Sequence, residues 1–410
     1  MSQVESDTRA GGAAITGAGT ATEGTGLERD HRGVRLASTS SPRDIRIDSL
    51  RGLMLVEMTL VHVKCPVASI SYECFGRVSP AAGFVFLSGL VAGAVYGRAA
   101  QKGAVAVIQR CLQRTGYIHA YHVVTFMILL AAALWVPRAN TYFKFEIGYP
   151  PVESAMHTLG WFVVWAYQPD LFDILPLYGL FVLCMPAALL ALRNQHGVAM
   201  LLVSLGVWAL AQLGLGHITD GTHHLGFFQG DFNPFAWQFV FFSGLYFGHE
   251  HLYRRQRVIE LRPALLMLCL LICIVGFTVR WDLLPWPAFL GPENWLASKQ
   301  NYGPTYLVNF LAFACLVYYL ATRLPRAFEW PALAFLGRSS IQVFSFHVLV
   351  IYLALPVNWR AAGHGPWVHN ALGVVLVASL WLPAWCQSRW RRYRQLSHAA
   401  AHPDFQPSSP

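Results

Sequence analysis

From about residue 49 onward the chain sets long apolar runs between short polar breaks, and the runs are continuous rather than alternating residue by residue. They fall near 49–67, 80–98, 117–136, 172–192, 198–216, 235–251, 263–281, 303–322, 340–356 and 367–387, each long enough to cross a hydrocarbon core of about 30 Å as a helix. Backbone groups in lipid must bond within their own segment, so continuous runs become helices, whereas barrel strands would alternate apolar and polar positions. The pattern predicts an all-α integral membrane protein, a polytopic bundle of about ten transmembrane helices. Residues 1–42 are rich in Gly, Ala, Thr and Ser without apolar period and predict a disordered tail; no continuous apolar core precedes Leu50, so a secretory signal is not expected. The stretch 389–410 is basic and then Pro/Ser-rich and is expected to be a loose tail, which leaves 43–388 as the membrane domain.

Composition agrees with this reading and narrows it. The hydrophobic fraction is 55% and the charged fraction 12%, against roughly 25% charged residues in soluble domains. That excludes a soluble globular enzyme, a disordered chain and a collagen-like chain. The formal charge of +9 does not point to nucleic acid, because the Lys and Arg sit in short clusters between apolar runs rather than on one folded face. With the first helix leading outward, roughly 23 of the 30 Lys+Arg fall on the inner side, the bias of positive-inside insertion. Both termini are therefore expected in the cytoplasm. Three outward loops, 137–171, 217–234 and 282–302, carry Trp161, Trp165, Tyr167, Phe227, Phe228, Trp281, Trp286 and Trp295, either as an aromatic belt at the lipid surface or as a stacking platform for sugar rings. The 8 cysteines read as packing residues, although Cys65 and Cys74 share an outward loop and could pair.

The first helix holds the clearest chemistry. At 100° per residue the eleven steps from Arg51 to His62 return to within about 20°, so both lie on one stripe, roughly 16 Å apart along the axis, and Asp48 shares it. An ionisable stripe on a membrane helix faces protein or a water-filled cavity. His62 can take a proton from an alcohol attacking a thioester, or can serve as a hydrogen bond between helices. Arg51 can bind a donor phosphate at the inner face or pair with Asp48 as an anchor; Arg46 opens the same helix. Glu57 lies about 140° from His62 and is not expected to orient it. Ser340 and His347, seven residues apart after Arg338, share a face of the ninth expected span, where His347 could orient His62 or the acceptor, or be structural.

Asp173 and Tyr178 are expected at the outward mouth of the fourth span, and Asn233 and Gln238 at that of the sixth. Asp/Asn-Pro pairs also make ordinary helix starts, yet together the four suggest an outward polar vestibule. Gly89, Gly93 and Gly97, at four-residue spacing, predict close helix packing, and Ser88 lacks the elbow of a nucleophile. The histidines at 217, 223 and 224, and those at 249 and 251 beside Glu250, match no metal-binding spacing, so no metal is assigned. A phosphate-binding loop and a dinucleotide fingerprint are both missing.

At these residues the sequence resembles the OpgC family, membrane proteins related to the acyltransferase-3 group. The blocks that carry the resemblance are Arg46 to Gly52 with His62, Phe84 to Gly89, Asp173 to Tyr178, Asn233 to Gln238, and Leu336 to Ser340 through His347. The resemblance implies roughly ten transmembrane helices in a bacterial inner membrane. It also implies transfer of an acyl group, typically succinyl, from cytoplasmic acyl-CoA to hydroxyls of periplasmic glucans. By the same resemblance His62 takes the general-base role and Arg51, with Arg46, Asp48 and Arg338 near it, the donor side. A transporter using the stripe as a path, and a non-catalytic scaffold for glycan export, are the competing readings; the absence of a visible internal repeat disfavours the transporter.

Overall fold

The structure, a computed structural model, describes residues 43–135, 155–216, 231–256, 258, 260–284, 287 and 295–401. The expected front tail, the loop histidines at 217, 223 and 224, and Phe227, Phe228 and Trp286 lie outside the described residues. In chain order the α-helices are α1 (Ile45–Val63), α2 (Pro66–Ser71), α3 (Pro80–Gln101), α4 (Ala104–Trp135), α5 (Ala155–Val163), α6 (Ile174–Arg193) and α7 (Gly197–Gln212). They continue with α8 (Pro234–Phe247), which runs into a π-turn at Gly248–Tyr253, α9 (Pro263–Arg280), α10 (Pro304–Arg323), α11 (Pro331–Gly337), α12 (Ser340–Gly363), α13 (Pro366–Ser379) and α14 (Trp381–Ala401).

The helix starts follow from local chemistry. Proline opens α2, α3, α8, α9, α10, α11 and α13, where its missing N–H costs nothing. Asp44, Ser79 and Asn233 accept hydrogen bonds from the N–H groups of Arg46, Ala82 and Phe235 and so cap α1, α3 and α8. Burial opposes ionisation of Asp44, but its hydrogen bonds to Arg46 outweigh that and hold the carboxyl below its usual range.

The chain is a multi-pass membrane protein. By length and composition seven helical stretches can cross a bilayer: α3, α4, α6, α9, α10, α12 through Asn358, and α13 with α14 through Ser397. The other three expected spans are helical too, but α1 carries four charged residues, α7 has 16 residues and α8 has 14 before its π-turn. Outer faces are apolar, with Met267, Val203, Leu202 and Val375 more than half exposed, a surface that hydrocarbon tolerates and water would not. Two boundaries differ from the sequence expectation. Helix α4 begins at Ala104, well before 117, and the C-terminal stretch is helical to Ala401 because α14 continues the direction of α13 past a buried turn at Leu380.

Glycines set the two helix contacts that matter for the site. A Cβ on Gly89 or Gly93 would stand 2.1 Å from the carbonyl oxygens of Phe241 and Leu245, and one on Gly244 2.1 Å from that of Phe86, so α3 and α8 touch backbone to backbone. Gly52 meets Leu333 O at 2.0 Å and Gly337 meets Asp48 O at 1.9 Å in the same sense, which presses α11 onto α1 and delivers Arg338 and Ser340 beside Arg51. Of the loop aromatics, Tyr167 is buried, Trp161 and Trp295 are exposed, and Trp281 donates to the Cys74 carbonyl. Cys65 and Cys74 are separate thiols.

Candidate functional site

Helix α1 runs between two cavities. One, of about 260 Å³, receives Arg51; the other, of about 130 Å³, receives His62. A straight helix puts the two residues about 16 Å apart along its axis.

The described lining of the Arg51 cavity contains five guanidinium groups, those of Arg43, Arg51, Arg114, Arg338 and Arg391, and no carboxylate. Arg51 is 6% exposed; its Nη2 donates to Ser340 Oγ, and its guanidinium stands 5.8 Å from the centre of the Phe84 ring. Its Nε has no hydrogen-bond partner, nor has Ser88 Oγ, which is buried in the same lining. Buried polar atoms are normally paired, and both orphans in this basic cavity have hydrogen-bonding capacity to spare. Asp48 does not pair with Arg51: its carboxylate is held by Arg43 at 2.6 Å, with Arg338 at 3.7 Å. Arg46 turns away to Asp44 and to the Ala321 carbonyl, at 2.7 Å, and ties α1 to α10.

Tyr178 belongs to this cavity as well, under the Arg114 guanidinium at 6.0 Å, whereas Asp173 lines the other. Asp173 is the N-cap residue of α6 and Tyr178 stands one turn further in, and that turn of helix carries the two side chains to different cavities. Sequence reasoning missed Arg43, Arg114 and Arg391. Arg114 could have been found, since it stands ten residues inside α4, and a cation within an apolar helix is a functional candidate.

In the second cavity His62 Nδ1 lies 3.3 Å from His347 Nε2, with the rings stacked 22° from parallel. His347 Nδ1 is hydrogen-bonded to the Phe344 carbonyl, an oxygen that can only accept, so that nitrogen carries the proton. For a neutral His347 the Nε2 lone pair then accepts from His62 Nδ1–H, and His62 Nε2 is left as a free base. Tyr72, Ser79, Asp173, Asp231, Lys299 and Gln300 complete the polar lining. Asp173 Oδ2 accepts from the Asp231 N–H at 2.8 Å, and the Lys299 ammonium lies 5.1 Å over the Tyr72 ring. Burial, then the Glu73 carboxylate, push the Tyr72 phenol above its ordinary value, so it stays a hydroxyl.

Asn233 and Gln238 line neither cavity. The Asn233 side chain is engaged with Phe235 N, Leu215 O and Asn301 Oδ1, and the Gln238 amide is spent on Ser204 and Phe235. Phe84 and Phe344 stack at 5.9 Å, and Phe344 abuts His347 at 4.6 Å, so an aromatic step connects Arg51 to the histidine pair. Among the described residues no group of three or more His, Cys, Asp or Glu is arranged to hold a metal; His249 bonds to Glu250, which also pairs with Arg254.

The profile of the OpgC protein family matches residues 43–392. The chain belongs to that family. The match runs past the last block of the sequence resemblance, through α12 and α13, and takes in Arg391 on α14. Comparisons with curated proteins and with solved structures gave no match. Membership in the OpgC family points to acyl transfer to a glycan.

Proposed function

We propose that this OpgC-family protein is a membrane O-acyltransferase. It moves an acyl group, succinyl by family, from cytoplasmic acyl-CoA to a hydroxyl of a periplasmic glucan. The observation that carries the reading is that one helix offers a guanidinium to one cavity and an imidazole to another at its opposite end. In this reading ten helices cross the bacterial inner membrane, both termini are cytoplasmic, and the Arg51 cavity faces the cytoplasm. The phosphates of the donor are drawn to the arginine-lined mouth, where charge-assisted hydrogen bonds are strong. The long arm leads the thioester past Phe84 and Phe344 toward His62.

The acceptor hydroxyl enters the His62 cavity, where Asp173 takes a hydrogen bond from a neighbouring sugar hydroxyl. His62 Nε2 removes the proton as the hydroxyl oxygen attacks the thioester carbonyl, and the carbonyl electron pair moves onto oxygen. Collapse of that intermediate reforms the carbonyl and breaks the C–S bond, and the departing thiolate takes the proton back from the imidazolium. His347 holds the His62 ring in the tautomer that leaves Nε2 free.

The test is incubation of the purified protein with labelled acyl-CoA and a glucan, followed by mass spectrometry of the glucan. Acylated glucan with release of free CoA is expected. Substrate crossing vesicles without covalent change would replace the reading with transport, and neither result would leave a scaffold.

A further inference from the structure

The C-terminal helix looks dispensable in sequence, a basic stretch after the last span, yet it contributes to the wall of the Arg51 cavity. Arg391 of α14 is part of that lining, and its Nη2 donates at 3.2 Å to the main-chain carbonyl of Arg338, itself a lining residue. The base of the helix is fixed, since Leu380 and Ala384 are fully buried. Around the helix, Arg391 stands about 120–180° from Leu382, Trp385, Tyr393 and Leu396, each more than half exposed. One side of α14 thus presents aromatic and aliphatic side chains outward, and the other turns a guanidinium to the cavity. Aromatic side chains next to guanidinium groups suit the edge of a bilayer, where an apolar ring meets a polar rim; the Arg389 and Arg394 guanidinium groups lie 5.2 and 5.4 Å over Trp385 and Trp390.

We propose that Arg391 is a binding residue for the phosphates of an anionic CoA-type donor, and that α14, leaving the bilayer as the continuation of the last span with its outer stripe against lipid, holds it at the mouth of the cavity. This rests on the acyltransferase reading above. Arg43 and Arg338 at the mouth are already shared with Asp48, whereas the described contacts of Arg391 include no carboxylate, so its charge is available to a ligand. Phosphate at that point would sit at the exposed rim, with Arg51 and Ser88 at the buried end left for the arm of the same molecule.

The experiment uses full-length protein in lipid nanodiscs. It measures transfer to glucan from acyl-CoA and from the acyl thioester of N-acetylcysteamine, which keeps the thioester and lacks the phosphates. Binding of free CoA is followed in parallel. Arg391→Ala is expected to raise the donor KM for acyl-CoA and the Kd for CoA about tenfold with kcat nearly unchanged. It should leave the phosphate-free thioester unaffected, and Arg391→Lys should recover part of the loss. Arg392→Ala, on another side of the helix, should behave as the parent protein. Equal penalties on the two donors, or unchanged CoA binding in Arg391→Ala, would overturn the assignment of Arg391. Absence of CoA binding by the parent protein would instead overturn the acyl-CoA reading itself, and the assignment with it.

Discussion

The two cavities along α1 differ in how they treat charge. At the Arg51 end five cations meet no carboxylate in the described lining, and two buried polar atoms wait without a partner. At the His62 end, in half the volume, two carboxylates, an ammonium, a phenol and an imidazole stand together, and Asp173 is already hydrogen-bonded to backbone. Asp48, behind the lining, offsets Arg43 and Arg338 only, so five guanidinium groups share one carboxylate and the cavity keeps an excess of positive charge that suits an anion. A lining that mixes acidic, basic and neutral polar groups and keeps acceptors available suits a neutral, hydroxyl-rich ligand. The contrast divides the proposed reaction into a donor end and an acceptor end, and substitutions at the two ends should separate accordingly.

The largest effect is expected from His62→Ala. Removing a general base should lower transfer by a hundred- to ten-thousandfold while CoA binding stays at the parental level. Transfer at the parental rate in a well-inserted variant would end the assignment of His62. Next comes Arg51→Ala, whose lost charge-assisted hydrogen bonds should raise the donor KM ten- to hundredfold without changing the acceptor KM. Arg51→Lys should restore little, because an ammonium cannot span Ser340 and a ligand as a fork does. An acceptor KM that rose with the donor KM would erase the division between the ends.

His347→Ala tests the link between the rings. Releasing His62 from its fixed tautomer should cut kcat about ten- to hundredfold with donor binding intact. His347→Gln, whose side-chain oxygen can still accept from His62 Nδ1–H, should recover part of it. If alanine and glutamine were equally impaired, the contact at 3.3 Å would be packing rather than positioning.

What the sequence discloses here depends on whether a helix carries the information. Arg51 and His62 share a stripe because eleven residues nearly complete three turns, and phase along one helix is legible without a structure. The tight contacts of Gly89 and Gly93 are legible for the same reason. The partners are not: Asp48 finds Arg43 rather than Arg51, Asp231 comes to Asp173 from 58 residues away, and Arg391 reaches a carbonyl 53 residues earlier in a cavity that also draws on α1, α3, α4 and α6. Tyr178 shows the intermediate case. Its neighbour Asp173 suggests a shared mouth, but five residues of helix are enough to send the two side chains to different cavities. Asn233 and Gln238 carry polarity into an apolar helix, and only the fold reveals that caps and the α7 contact consume it.

The smallest predicted effect is also the most selective. Asp173 accepts the Asp231 N–H through Oδ2 while it lines the His62 cavity, so it has one structural duty and room for one ligand contact. Asp173→Asn keeps an oxygen for the backbone N–H and replaces the other carboxyl oxygen with an amide nitrogen that can only donate, and should raise the acceptor KM about threefold to tenfold with donor KM and thermal stability near parental values. Asp173→Ala removes both contacts and should add a small loss of stability, because the tie between the Asp231 N–H and α6 is lost. If asparagine is silent toward the acceptor and only alanine is impaired, Asp173 is a loop tie and the acceptor must be read by Tyr72 and Lys299 instead. If asparagine shifts the acceptor KM and spares the donor, the His62 cavity is where the hydroxyl compound is recognised, and the difference between the two ends of α1 holds at the level of a single side chain.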